Sequence, residues 1–238
     1  MNKIYFKLLG LSLGLTIIIS LFSATSIFLK MDDNGIIMFQ IAAFLSLAIL
    51  LFFYMKKKDS TLKQFGFEKT SISKSVFGFI ALIILIQPIT LGINFSLPFL
   101  TLLLIIIQMI LVGFVEESLF RAIFFYFLKD EQPKVYLLFS SIVFGLLHIA
   151  SGLNPETAPL LVFLQIVNAL LLGAIFAILY YSLKSIYLVI AFHSLFNIFA
   201  SVTLESSLQR NLVAVSILTI CYIVFLIYYT KIVFFLKK

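Results

Sequence analysis

The sequence has no tryptophan, one cysteine, two histidines and five prolines in 238 residues, and charged side chains make up only 11% of it. A single cysteine, Cys221, excludes an internal disulfide and any CxxC metal or redox motif. Set within an apolar run, it reads as a small buried hydrophobe. The scarcity of charge, beside 63% hydrophobic residues and a mean hydropathy of +1.19, excludes a water-soluble domain of this size. The solvent is lipid, and the chain reads as an integral membrane protein.

What the sequence has in abundance is long apolar runs, over 4–29, 36–54, 75–95, 97–128, 135–150, 159–183, 185–204 and 211–236. A spanning helix takes roughly 20 apolar residues, so the length holds about eight spans with short connections. The runs lack the alternation of barrel strands, and only helices or closed barrels satisfy the backbone in lipid. The expected fold is therefore all-α, a polytopic membrane protein of about eight transmembrane helices with a helix-bundle core. The first run, Leu8 to Leu29 behind Lys3 and Lys7, is too long for a signal-peptide h-region and is expected to be an uncleaved span.

The formal charge of +7 raises nucleic acid as a partner, but the lysines sit in the short gaps between apolar runs, so no nucleic-acid binding is expected. With a cytoplasmic N-terminus, the inside segments hold Lys3, Lys7, Lys56, Lys57, Lys58, Lys63, Lys69, Lys74, Lys129, Lys134, Lys184, Lys231, Lys237 and Lys238. The outside segments hold Lys30 and Arg210, and Arg121 lies within a span. This asymmetry follows the positive-inside rule if the span count is even and both termini are cytoplasmic. The one sizeable loop, 55–74, is basic and carries Phe65-Gly66-Phe67. It is expected to be a solvated topology anchor or an amphipathic element on the cytoplasmic surface.

Glu116, Glu117 and Arg121 lie deep in the fourth run, and both histidines, His148 and His193, fall inside apolar runs. An ionised group at that depth costs on the order of 3 kcal/mol, so a functional role is the default reading. Counted from Lys129, Lys134 and Lys184 along helices, Glu116, His148 and Asn197 all lie roughly 20 Å from the lysine boundary, and His193 about 14 Å. Three helices running in alternating directions thus bring them near one level. At helical spacing Glu117 and Arg121 share a face and pair, Glu116 is left facing elsewhere, and His193 shares a face with Asn197.

These residues sit in EESLFR (Glu116 to Arg121), FGLLH (Phe144 to His148) and HSLFN (His193 to Asn197). In that order they resemble the EExxxR, FxxxH and HxxxN motifs of the CPBP family. That family contains the type II CaaX prenyl endopeptidases and the bacterial Abi proteins linked to bacteriocin maturation and self-immunity. The resemblance covers the core, expected as a catalytic unit over 96–204, while hydropathy alone gives three N-terminal spans over 1–95 and a last span over 205–238. It implies an intramembrane endopeptidase in which Glu116 and His148 activate water while His193 and Asn197 stabilise the oxyanion. Glu117, Arg121 and Phe144 would support them. Glu116, His148 and His193 also make a donor set of the kind that binds Zn²⁺, but HExxH is absent, so water activation with or without metal stays open. The expected substrate is a membrane-associated peptide or protein. The richness in Ile, Phe and Lys points to a bacterial cell membrane, with bacteriocin or signal-peptide maturation, or self-immunity, as the setting.

Three other readings compete with this one. Gly10-Leu11-Ser12-Leu13-Gly14 spells GxSxG, but a nucleophile elbow needs a strand-to-helix turn and this stretch opens an apolar helix. A proton-coupled transporter also uses intramembrane Glu and His, yet no repeat halves are visible. A catalytically silent binding or immunity protein would use the same cavity without cleavage.

Overall fold

The computed structural model describes residues 2–153 and 159–236. Among them the apolar runs fold into α1 (Asn2–Phe28), α2 (Asp33–Lys58), α3 (Lys74–Leu91), α4 (Phe99–Leu128), α5 (Pro133–Leu147), α6 (Pro159–Leu183), α7 (Ile186–Ser201) and α8 (Leu208–Lys231). Seven are long and apolar enough to cross a membrane, and α7 is a shorter apolar helix. Among the described residues there is no strand, only one antiparallel bridge between Ile93 and Thr203. The protein is a polytopic helical membrane bundle.

Helix starts follow local chemistry. Asp32 caps α2 by accepting from Gly35 N at 2.8 Å, Ser73 and Ser207 cap α3 and α8 in the same way, and Pro133 opens α5 where its missing N–H costs nothing. The described lysines apart from Lys30 gather at one end of the bundle, around the starts of α1, α3, α5 and α7 and the ends of α2, α4, α6 and α8. Lys237 and Lys238 lie outside the described residues.

The core is α4, α5, α6 and α7. The most extensive contact is α5 on α6, followed by α4 on α7, while α2 covers α4, α1 lies on α2 and α5, and α8 packs on α3 and α6. Between apolar helices in lipid, close packing and polar contacts replace the hydrophobic drive. Gly145 serves the first: a Cβ there would come within 2.7 Å of Leu170 Cβ. A polar ladder serves the second, with Gln108 donating to Gln40, Gln40 to Ser23 Oγ at 3.1 Å, and Thr101 to Asn34 at 2.9 Å.

The segment expected to be a solvated anchor or amphipathic surface element keeps its lysines exposed and is docked on the bundle through a few buried side chains. Helix α2 continues to Lys58, and the rest folds back onto the bundle. Phe65 is fully buried and stacks on Tyr126 with centroids 4.9 Å apart, Gly66 accepts from Ile186 N, and Glu68 O accepts from Ser185 Oγ at 2.6 Å. Burial of one aromatic ring, one backbone bond from Ile186 and one side-chain bond from Ser185 hold the segment down, while Lys63 and Lys69 stay exposed.

Candidate active site

Helix α4 is regular up to Glu117 and then widens into a π turn over Ser118–Ile123. A π turn inserts a residue, re-aims the side chains around it and loosens the backbone ladder. Here the Phe120 carbonyl accepts from Ser140 Oγ of α5 at 2.7 Å. Glu117 and Arg121, flanking and inside this turn, are both fully buried and form an ion pair, Arg121 Nε to Glu117 Oε2, at 2.9 Å. The guanidinium also lies over the Phe144 ring at 4.5 Å and that of Phe176 at 5.4 Å, so its charge meets a carboxylate and two aromatic faces instead of water.

The other oxygen of Glu117 reaches across to α7, where His193 Nδ1 donates to Oε1 at 2.8 Å. The pairing with Arg121 is the one the four-residue spacing predicts. The contact with His193 is additional, and it makes Glu117 the group that sets the imidazole's orientation. His193 is further held by stacking on Phe176, centroids 4.9 Å apart at 26°, and by the edge of Phe144. What allows α7 so close is Gly113, since a Cβ there would collide with Ser194 Oγ and come 3.1 Å from the Ile190 carbonyl.

With Nδ1 occupied, His193 presents Nε2, and Glu116 Oε2 lies 3.8 Å from it. Glu116 keeps 17% of its side chain accessible, unlike its neighbour. His148 closes α5 as its C-terminal cap, where the chain turns into a 3₁₀ segment over His148–Leu153. Its Nδ1 lies 2.9 Å from the Phe144 carbonyl. A carbonyl only accepts, so Nδ1 carries the proton and a neutral His148 offers a lone pair at Nε2. Phe144 stands between the two imidazoles, edge-on to His148 at 4.9 Å as well as to His193. Asn197 lies one turn beyond His193, half-buried.

Glu116, His148, His193 and Asn197 all line one cavity of about 490 Å³ among α3 to α8. Its wall also carries Gln87, Gln165, Asn168, Ser201 and Tyr222, none of which the motifs single out. The signal for the amides was available, since a carboxamide inside an apolar run is costly for the reason that drew attention to Glu116. Asn168 donates to Leu164 O at 2.9 Å and leaves its buried Oδ1 without a partner. A smaller cavity of about 180 Å³, walled by α1 and α2, meets Glu116 and His148 from their other side.

Nδ1 of each histidine is committed, one to Glu117 and one to a carbonyl, as the outer nitrogen of a metal-bound imidazole also is, so Nε2 is the atom each has to offer; among the described residues no three His, Cys, Asp or Glu side chains converge as a ligand set. The arrangement offers the Glu116 carboxylate, Nε2 of each imidazole and the Asn197 amide around one cavity.

Residues 98–199 match the family model described as type II CAAX prenyl endopeptidase Rce1-like. No curated protein and no solved structure matches the chain.

Proposed function

We propose that this chain, which belongs to the type II CAAX prenyl endopeptidase family through its residues 98–199, hydrolyses a peptide bond of a membrane-associated polypeptide with a water activated by Glu116 and His148. The observation that carries the reading is the shared cavity. Four polar side chains from α4, α5 and α7, costly to place in lipid, face one space between helices.

His148 Nε2 accepts a hydrogen bond from the water and orients it, and Glu116 takes the proton as the oxygen attacks the carbonyl carbon. The step takes His193 as the imidazolium, with Nδ1–H on Glu117, so that its Nε2–H and the Asn197 amide meet the tetrahedral oxyanion while Glu117 balances the positive charge. Glu116 returns the proton to the leaving amine, which completes hydrolysis. Each step uses side chains alone. In this reading Glu117, Arg121 and Phe144 are positioning residues that hold His193 and His148 in place.

The test incubates purified protein in nanodiscs with membrane-associated peptide precursors, bacteriocin and signal-peptide leaders among them, and reads cleavage by mass spectrometry. Glu116→Gln is expected to lose about 10²–10⁴-fold in rate, the usual yield of a general base. Asn197→Ala is expected to lose about 10²–10³-fold, as for one oxyanion donor. Chelator is expected to leave the wild-type rate unchanged. Full cleavage by Glu116→Gln would remove the proposal and leave a binding protein with the same cavity.

A further inference from the structure

The bundle differs between its two ends. On the lysine-rich side of the site the interior is solid: Arg121, Phe124, Tyr136, Phe176, Tyr180 and Ile186 are buried, and Phe65 of the docked segment seals the end beneath them. On the other side it is hollow. The larger cavity takes Gln87 from the last turns of α3, Leu161 and Gln165 from the first turns of α6, and Ala200 and Ser201 from the last residues of α7. All of these lie toward the end that carries only Lys30 and Arg210 among the described basic residues. The smaller cavity follows the same rule, with Thr16, Ile19 and Ser20 from the second half of α1 and Ser151 beyond the end of α5. Two adjoining spaces, which share Glu116, Phe144, His148 and Gln165 in their walls, therefore extend from the site toward the lysine-poor end, and the packed core lies between them and the lysine-rich end.

Lysine-rich connections stay in the cytoplasm, because translocating them against the membrane potential and the insertion machinery is costly. We infer that the site is fed from the extracytoplasmic face, so that its substrates are polypeptides whose scissile segment lies outside the cytoplasm or in the outer leaflet. This deepens the peptidase reading and rests on it for the word substrate. The wall that meets such a segment is apolar with Gln87, Gln165, Asn168 and Asn197 among it and holds no Lys or Arg. It suits an extended, uncharged stretch whose backbone bonds to carboxamides, and it offers no cation to a free C-terminal carboxylate.

The full chain carrying Cys221→Ala, expressed in a bacterial inner membrane, tests this with single cysteines and a membrane-impermeant maleimide. Gln165→Cys and Ser201→Cys, both at exposed positions on the cavity wall, are expected to label in intact spheroplasts. Asp130→Cys, exposed at the lysine-rich end, is expected to label only in inverted vesicles. Labelling of the two cavity positions only in inverted vesicles, equally from both sides, or from neither side, overturns the inference. Hydrolysis is scored separately on the wild-type chain. External labelling without any cleavage sinks the peptidase reading and leaves the orientation standing, whereas cleavage with internal labelling sinks the orientation alone.

Discussion

A fully buried arginine is tolerable only with its charge matched, and Arg121 has Glu117 at 2.9 Å and the face of Phe144 at 4.5 Å. Removing one member of such a pair leaves the other charge without compensation, at a cost of about 3–5 kcal/mol, while removing both leaves none. Arg121→Met is therefore expected to destabilise the folded protein by about that amount, and Glu117→Gln with Arg121→Met by clearly less. Unfolding in mixed micelles compares the two; a double variant as unstable as the single would show that the pair is not the source of the cost. The Glu117–Arg121 pairing was legible because it is local, four residues along one helix. The Glu117–His193 bond was not, because it joins positions 76 apart and depends on how α4 and α7 approach. No spacing rule reaches across that distance.

Whole elements were legible where hydropathy alone defines them. All eight runs are helices, and the fourth extends over Phe99–Leu128 as a run of that length requires. Its π turn was not legible, because widening one turn changes no hydropathy and the residues in it include neither Gly nor Pro. The docking of the segment after α2 was not legible because Lys63 and Lys69 mark it as solvated, whereas its place on the bundle is held by the buried Phe65 ring. Phe65→Ala is expected to cost about 3–5 kcal/mol, as for other buried phenylalanines, and to open the segment to protease. Limited proteolysis in nanodiscs checks this, and unchanged resistance would show that the hydrogen bonds from Ser185 Oγ and Ile186 N hold the segment without the ring.

The same end carries a pH-sensitive group outside the spans. Lys184 follows α6, lies 3.6 Å over the Phe125 ring, and has its ammonium pushed down to about 8 from 10.5 by burial. Below about 8 both folded and unfolded chains hold this proton, and the cost of burying the charge is fully present. Between about 8 and 10.5 the unfolded chain binds the proton and the folded chain does not, so stability rises with pH through that window. Thermal unfolding at pH 7.5 and pH 10 is expected to show the gain in the wild type and to lose it in Lys184→Met. An equal gain in the variant would assign it to another group.

At the scale of the molecule, the sequence placed Glu116, His148 and Asn197 at one depth from lysine markers and helical rise, and the folded chain sets them around one cavity. It could not show that the bundle is packed on one side of that level and open on the other, because both halves are equally apolar in composition. The difference comes from which residues interlock, and it has a dynamic consequence. Helix segments that wall a hydrated space open locally at lower free energy than segments sealed in a core. In α6, amides of residues 161–172, beside the cavity, are expected to exchange with solvent deuterium about tenfold or more faster than those of 173–183, which pack around buried Phe176 and Tyr180. In α7 the same ordering is expected for 194–201 over 186–192. Hydrogen exchange with mass spectrometry on the nanodisc-embedded protein reads both comparisons in one experiment. Uniform protection along both helices would mean that the cavity is dry, and a dry cavity could not supply the water that Glu116 and His148 are proposed to activate.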